Sequence, residues 1–249
     1  MTLRRLIPML LVAAVTLGAA APIADAGTLP APIVDAGTPP APSTIKPAIV
    51  WKKIPFGAKR KSQTAAYSKR HYGEHTWHLT DPQVVIEHYT DGNSFDSAWG
   101  YMAHNVIHLG EYPGVCSHFL IDTDGTIYQL VNVGVRCRHA IGMNWTAVGI
   151  EHVGTNAKKI LHNHAMMTAS LHLTVWLMAK YGISWGNVIG HAETLQSPFH
   201  QELYPDWQCS THADWKRADM RKYRKRLRHV AHNEGVPIGD PPAWVDSGC

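Results

Sequence analysis

The chain has 249 residues, a formal net charge of +4 at neutral pH, and a hydrophobic fraction of 45%. This length fits one domain of ordinary size with processed or flexible ends, and the hydrophobic fraction suffices for a complete core. The modest charge excludes a polycation, and beyond the N-terminus no segment is long and apolar enough to span a membrane.

The N-terminus predicts a secretory signal peptide. Two arginines stand among the first five residues, an apolar run extends from Leu6 to Ala21, and residues 24–26 offer a small-x-small cleavage site. A retained transmembrane helix is the alternative, but the run is short and Pro8 interrupts it. We therefore assign residues 1–26 to a signal peptide and expect an exported mature protein.

Low-complexity sequence follows the signal peptide. The segment from Ala21 to Pro30 is nearly repeated from Ala31 to Pro40, and prolines recur in both copies. Proline at this density does not enter a core and predicts an extended linker. We assign residues 27–50 to this linker, 51–235 to one folded domain and 236–249 to a C-terminal tail.

Hydrophobic patterning in the folded domain predicts alternating strands and helices. Strands are expected at residues 84–88, 148–153 and 188–190, a hairpin at 119–130 that turns at Asp124-Gly125, and helices at 94–108, at 160–181 and in the basic segment after residue 215. The elements alternate irregularly and the hairpin is antiparallel. The expected fold class is therefore α/β, with a mixed central β-sheet flanked by helices.

Four cysteines in an exported protein predict two disulfides, although four cysteines allow three pairings. Cys116 and Cys137 flank the predicted hairpin, whose strands bring their ends together. We therefore favour a Cys116–Cys137 bridge. Cys209 would then pair with Cys249 and hold the C-terminal tail.

A short stretch near the C-terminus is strongly basic. It contains Lys216, Arg217, Arg221, Lys222, Arg224, Lys225, Arg226 and Arg228. Such a cluster could contact anionic polymers or nucleic acid. Apolar residues recur within it at helical spacing, which favours an amphipathic helix with a solvated basic face. No nucleic-acid-binding motif accompanies the charge, so a specific nucleic-acid partner is not expected.

Polar residues end or follow several apolar segments and could meet at one point. His88 closes one predicted strand, Glu151 lies in another, His191 closes a third, and His212 follows in a loop. Imidazole nitrogens are ordinary zinc ligands, and a catalytic zinc needs three protein ligands with one open position. A carboxylate beside that position can accept the proton of an attacking water. The set therefore matches the requirements of a zinc hydrolase.

The surroundings of these residues resemble a known family. The matching stretches are IEHYT at 86–90, SHFLIDTDGTIYQ at 117–129, RHA at 138–140, VGIE at 148–151 and IGH at 189–191. In this order they resemble the zinc-dependent N-acetylmuramoyl-L-alanine amidases, a family that also includes the peptidoglycan recognition proteins. The resemblance implies the same mixed α/β fold.

The resemblance also implies an activity and a site. The expected reaction is cleavage of the amide between N-acetylmuramic acid and the L-alanine of the stem peptide, with peptidoglycan as partner and Zn²⁺ as cofactor. His88, His191 and His212 would be the metal ligands and Glu151 the catalytic carboxylate. His139 lies in a stretch similar to a substrate-lining part of the family and is a candidate substrate-binding residue. An enzyme of this kind would be secreted or associated with the cell wall.

The third ligand departs from the family pattern. The family usually supplies Cys or Asp as the third ligand, often with a Lys two residues earlier. In this chain the aligned positions are His212 for the ligand and Ser210 for the Lys. Cys209 and His200 compete for the role in the same loop. The group that would stabilise the tetrahedral oxyanion is left unassigned by this comparison.

Two other functions fit parts of the pattern. The same fold can recognise muropeptides without cleaving them, although binding-only members tend to lack a full ligand set. Another zinc amide hydrolase, such as a peptidase, whose substrate is not wall material is the second alternative. His104 and His108 have helical ligand spacing, but Asn105 stands where an HExxH motif requires Glu.

Overall fold

The computed structural model describes residues 46–249, and a six-stranded sheet runs through this part of the chain. The strands are β1 (Ile49–Trp51), β2 (Val84–Tyr89), β3 (Phe119–Ile121), β4 (Ile127–Gln129), β5 (Ala147–His152) and β6 (Val188–Gly190). The helices are α1 (Ala58–Tyr72), α2 (Phe95–Ala103), α3 (Ala157–His162), α4 (His164–Tyr181) and α5 (Arg217–Asn233). The expected signal peptide and most of the expected linker lie outside the described residues.

The sheet is mixed, as its sequence predicts. Its strand order is β1-β4-β3-β5-β2-β6. The β3–β4 hairpin is antiparallel, and every other neighbouring pair of strands is parallel. Helices cover the sheet, and none of those in the described residues is long and apolar enough to cross a membrane. The prediction of a mixed central sheet flanked by helices is confirmed.

Side chains of β2 alternate between the two faces of the sheet. Glu87 faces the helices, where its Oε1 accepts a hydrogen bond from the Thr174 hydroxyl of α4 at 3.0 Å. Val84 and Ile86 face the other way and belong to a small apolar cluster on that side. Because strand side chains alternate with a period of two, His88 opens onto the same face as Ile86.

Two of the expected helices have different limits. The segment 160–181 is interrupted at Asn163, whose extended backbone separates α3 from α4. The Asn163 side chain accepts a hydrogen bond from the Met166 N–H at 3.1 Å and so caps α4. The helix expected at 94–108 ends at Ala103, because the chain turns into a loop with left-handed residues at Asn105 and Leu109.

Both expected disulfides are present. Cys116–Cys137 joins the segment before β3 to the segment after β4, with the two Cα atoms 5.2 Å apart. Cys209–Cys249 joins the loop before α5 to the last residue of the tail, with the two Cα atoms 5.6 Å apart. These separations are normal for disulfides.

Candidate metal centre

Three strand ends bring the candidate residues together. His88 of β2 and Glu151 of β5 are direct partners in the parallel ladder, so their side chains share one face. On the other side of β2, Gly190 at the end of β6 pairs with Glu87, and His191 follows at once. The sheet therefore places His88, Glu151 and His191 at one edge.

Asp214 completes a group of metal-binding atoms with two of these residues. The Nδ1 atoms of His88 and His191 are 3.1 Å apart. The Asp214 carboxylate lies 3.3 Å from His88 Nδ1 through Oδ2 and 3.0 Å from His191 Nδ1 through Oδ1. Ligand atoms bonded to zinc at about 2.0–2.1 Å with tetrahedral angles lie roughly 3.3 Å apart. The donor set and its spacing therefore fit a zinc ion.

Hydrogen bonds determine which ring nitrogen of His88 carries the proton and which carries the lone pair. His139 Nε2 lies 3.3 Å from the Ala147 carbonyl and can only donate to it. His139 Nδ1 is then an acceptor, and His88 Nε2 donates to it over 3.0 Å. A neutral His88 consequently carries its lone pair on Nδ1, the atom that faces His191 and Asp214. This is the arrangement by which an outer partner orients a metal-binding imidazole.

The protonation states of these groups also suit metal binding. Burial lowers the pKa of His88 to about 4, more than the nearby Asp214 carboxylate can offset. Burial and the neighbouring His88 hold the pKa of His139 well below its usual value. Burial of Asp214 acts to raise its pKa, but the neighbouring imidazoles of His191 and His88 outweigh this effect and leave that pKa strongly lowered. Neutral imidazoles and an ionised carboxylate are the forms that bind metal ions.

Glu151 carries an unsatisfied carboxylate oxygen beside this group. Its Oε2 is buried and has no hydrogen-bond partner among the described residues. Burial raises the pKa of Glu151 to about 8, and the negative charge of Asp214 adds to the effect. A cation bound close by would lower this pKa again, because an opposite charge favours the ionised form.

An open cleft of about 500 Å³ gives access to the group. Its lining includes His88, Glu151, His191, Asp214, His139 and His212, together with residues of the loop after β2 and of α2. The structure thus brings all five site residues named from the sequence to one cleft and adds Asp214 to them.

His212 lies next to the metal-binding group and outside it. Its side chain is 63% exposed, and its Nδ1 lies 2.7 Å from Asp214 Oδ1. The three-residue group that can hold a metal comprises His88, His191 and Asp214. His212 therefore occupies the rim of the cleft, where it can bond to the Asp214 carboxylate.

The two competing ligands from the sequence lie elsewhere. Cys209 is bonded to Cys249, so its sulfur is not available as a thiolate. His200 packs against the turn at Gly142, where an added Cβ would come within 2.2 Å of the His200 ring. Neither residue belongs to the metal-binding group found in the described chain.

Sequence analysis missed Asp214, although the signal was present. The family pattern places an Asp ligand two residues after a Lys. Asp214 stands two residues after His212. With Asp214 as the ligand, His212 takes the position of the Lys, and the order of the pattern is kept.

Other histidines have structural partners. His152 is fully buried and turned away from the cleft, with its Nε2 2.8 Å from the Ser170 hydroxyl. His118 lies 2.8 Å from the Val135 carbonyl through Nε2. His104 contacts its own helix at the Gly100 carbonyl.

A mixed α/β sheet with two imidazoles, a carboxylate ligand and a second, unpartnered carboxylate in an open cleft is what a metal-assisted hydrolase requires. The chain belongs to the N-acetylmuramoyl-L-alanine amidase family, because the model of that family matches residues 78–206. The matched range includes His88, His139, Glu151 and His191 and ends before His212 and Asp214.

Several solved structures are similar to this chain. The endolysin amidase LysCS from Clostridium intestinale URNW is 20% identical, with 78% of this chain and 99% of that chain covered and a TM-score of 0.44. The amidase AmiD from E. coli, solved with anhydro-N-acetylmuramic acid-L-Ala-D-gamma-Glu-L-Lys, is 21% identical, with 67% and 60% covered and a TM-score of 0.40. PGRP-SA of Apis mellifera is 24% identical, with 57% and 89% covered and a TM-score of 0.40. A search of curated proteins gave no match.

Proposed function

We propose that this protein is an exported zinc-dependent amidase that cleaves peptidoglycan between N-acetylmuramic acid and L-alanine. One observation carries the proposal: His88, His191 and Asp214 converge beside Glu151 in a chain that belongs to the amidase family. The two disulfides agree with an oxidising destination outside the cytoplasm. A binding-only module would not need a metal group paired with an unpartnered carboxylate.

His88 and His191 would hold the zinc through Nδ1, and Asp214 through its carboxylate. A zinc ion held there supplies Lewis-acid activation of the amide carbonyl and of water. The bond from His88 Nε2 to His139 keeps the His88 ring in place and its Nδ1 free. The sequence-based choice of His212 as third ligand is the alternative, and metal analysis of variants decides between the two.

Glu151 is proposed as the acid and base of the reaction. Its unpartnered Oε2 is free to accept the proton of the attacking water as the water oxygen bonds to the carbonyl carbon. The same carboxyl then donates that proton to the amide nitrogen as the carbon–nitrogen bond breaks. His212, exposed at the rim, is suited to donate a hydrogen bond to the oxygen that gains negative charge.

The direct test is incubation of the purified, zinc-loaded protein with peptidoglycan, followed by identification of the new termini. Free N-terminal L-alanine and intact N-acetylmuramic acid are expected. New reducing sugars, or cleavage only inside the stem peptide, would overturn the proposal.

Glu151→Gln provides the matched variant. Fold and zinc content should be retained while turnover falls on the order of 10²–10⁴-fold, because the proton acceptor is lost. If Glu151 only orients a ligand, the variant should lose zinc instead, and excess zinc should restore its rate.

A further inference from the structure

Helix α5 lies between two grooves lined by basic side chains. The first, of about 510 Å³, is bordered by Arg217, Arg221, Lys225, Arg228, Trp185 and Trp244. The second, of about 790 Å³, is bordered by Lys222, Lys225, Arg226, His229, His162 and His164. Lys225 borders both grooves, so they form one continuous surface across a helix about 25 Å long. We call this the α5 surface.

The C-terminal tail builds one wall of the first groove. Backbone bonds from Trp185 and Gly186 to Ile238 and Asp240, at 2.7 and 3.1 Å, hold the tail against the domain. A further bond joins the Val245 N–H to the Gln196 carbonyl at 3.0 Å. The tail thereby fixes Trp244 beneath Arg217, whose guanidinium lies 4.3 Å from the ring centroid. The tail and the tryptophans therefore hold at least Arg217 and Arg228 at the groove.

Glu193 pairs with Arg217 and Arg224 at one side of the first groove, but the other cations of α5 that border the grooves have no acidic partner among the described residues. Among the described residues, no ion pair involves Arg221, Lys222, Lys225 or Arg228. Arg221 and Lys225 are one helical turn apart, and like charges at this spacing destabilise a helix. The lining of the two grooves contains no Asp or Glu. The surface is therefore complementary to a ligand with several negative charges.

The surroundings of the α5 surface indicate which class of polyanion it could bind. Single-stranded nucleic acids are bound by stacking bases on free aromatic faces. Here Arg217 covers Trp244, and Arg228 lies 5.0 Å from the Trp185 centroid, so both tryptophans already stack on cations. Membrane binding would need exposed apolar side chains beside the charge, and none of the exposed large hydrophobic residues of the described chain lies on α5. A polymer that carries phosphates but neither bases nor acyl chains fits these features best.

We propose that the α5 surface binds a linear wall polymer of polyol phosphate, attached to or lying among the peptidoglycan strands that the cleft attacks. The choice of a wall polymer rests on the proposed function, whereas the charge complementarity does not. Each exposed cation neutralises a phosphate and releases a counterion, so the affinity falls steeply as salt rises. Binding here would hold the enzyme at its substrate.

The test compares two triple variants of the full chain. Arg221→Gln/Lys225→Gln/Arg228→Gln removes three charges from the α5 surface. Lys59→Gln/Lys158→Gln/Lys180→Gln removes three charges from exposed lysines outside it. Equilibrium binding to poly(glycerol phosphate) is measured at low and high salt. The first variant should bind at least about tenfold more weakly at low salt with a shallower salt dependence, and the second should bind like the parent protein.

Further arms identify the kind of polyanion. A single-stranded oligonucleotide with the same number of phosphates and vesicles of equal parts phosphatidylglycerol and phosphatidylcholine are compared with the polyol phosphate. Weaker binding to both is expected, and tighter binding to either would overturn the proposal. Equal affinity of the two triple variants for the polyol phosphate would overturn it as well. If the α5 variant melts early, Lys222→Gln/Lys225→Gln, which changes only exposed lysines, replaces it.

Activity separates this inference from the proposed function. On peptidoglycan stripped of its anionic polymer, the α5 variant should cleave at the parent rate, because these residues lie outside the cleft. On walls that keep the polymer, it should cleave more slowly than the control. If no protein cleaves stripped peptidoglycan, the proposed function fails, while the binding measurement still decides the role of the α5 surface.

Discussion

The tautomer of one histidine links the backbone of β5 to the metal group. The Ala147 carbonyl fixes the proton of His139, and His139 in turn fixes that of His88. Gly149 is part of this arrangement, because a Cβ there would come within 2.8 Å of the His139 ring. The Asn144 side chain accepts a hydrogen bond from the His139 backbone N–H at 2.8 Å and so stabilises the turn between these two residues. His139 is therefore placed to orient a ligand as well as to line the cleft.

His139→Phe tests this orienting role. The ring shape is kept but the acceptor for His88 is lost, so zinc affinity should fall roughly 10–100-fold. His108→Phe, also in the cleft lining, should leave zinc affinity unchanged. Competition with a chelator measures both affinities. A raised KM with unaltered zinc affinity would instead support the substrate-binding role predicted from the sequence.

The identity of the third ligand can be decided by metal analysis. Asp214→Ala should lose zinc, because it removes the carboxylate that faces both histidines. His212→Ala should retain about one zinc per chain and lose turnover, because an exposed imidazole at the rim is not needed to hold the ion. Zinc retained by Asp214→Ala and lost by His212→Ala would establish His212 as the ligand.

The residues that converge on the metal-binding group could be predicted from the sequence only where they end or follow regular strands. His88, Glu151 and His191 end or follow apolar strands, and parallel pairing brings such ends together. Asp214 lies in an irregular loop whose position depends on tertiary contacts. Gly190 lets that loop approach, because a Cβ there would lie 1.9 Å from the Trp215 carbonyl oxygen. No periodicity in the sequence encodes such an approach.

Among the elements, the predicted strands and the hairpin followed the hydrophobic pattern. Neither β1, which begins inside the expected linker, nor α1 was predicted from that pattern, and α1 shows why. Its buried residues include Arg60, Thr64, Ser68 and His71, so its inner face is polar. Arg60, Thr64 and His71 make specific hydrogen bonds there, such as those from the Arg60 guanidinium to the Met102 and Val115 carbonyls at 2.8 and 2.9 Å. A helix that buries polar side chains shows no apolar stripe. Hydrophobic spacing alone therefore does not predict it.

His71 connects α1 to two loops near the cleft. Its Nε2 lies 2.6 Å from Glu111 and its Nδ1 2.8 Å from Glu202. Both partners are carboxylates, so only the charged imidazolium can donate to both. Burial alone would lower the pKa of His71, but these hydrogen bonds outweigh it and raise the pKa above its usual value.

The raised pKa of His71 predicts a loss of stability in mildly alkaline solution. A group whose pKa is higher in the folded state stabilises the fold fully below its unfolded pKa of about 6.5, and the contribution disappears as pH rises through the folded value. The difference in unfolding free energy between the parent protein and His71→Gln should thus shrink from pH about 6 to pH about 9. Urea unfolding measures it. A constant difference, or an NMR titration of His71 at or below its usual pKa, would contradict the prediction.

Across the whole molecule, the two disulfides constrain different regions. Cys116 borders the cleft, and its bridge to Cys137 closes the base of the β3–β4 hairpin. The Cys209–Cys249 bridge joins the loop that leads to Asp214 with the tail that carries Trp244. The second bridge therefore links the loop that contributes Asp214 to the metal-binding group with the tail that borders the α5 surface.

Replacing Cys209 and Cys249 by serine should lower the stability of the protein and weaken polymer binding, but should leave metal binding unchanged. Their bridge closes a loop of 40 residues, which corresponds to about 3–4 kcal/mol of stability in the chain-entropy treatment. Less will be lost if the tail detaches alone, because the rest of the domain keeps its core. Trp244 should then leave Arg217, so binding to poly(glycerol phosphate) should weaken. Zinc content should stay at about one per chain, because the sulfur of Cys209 is used by the bridge and not by the metal group.

Cys116→Ser/Cys137→Ser is the matched control for this change. It removes a bridge at the cleft and should lower the melting temperature while leaving polymer binding intact. Melting, zinc analysis and the polymer assay are run on both double variants. Loss of zinc from Cys209→Ser/Cys249→Ser, with excess zinc failing to restore it, would contradict the prediction that the metal-binding group is independent of this bridge.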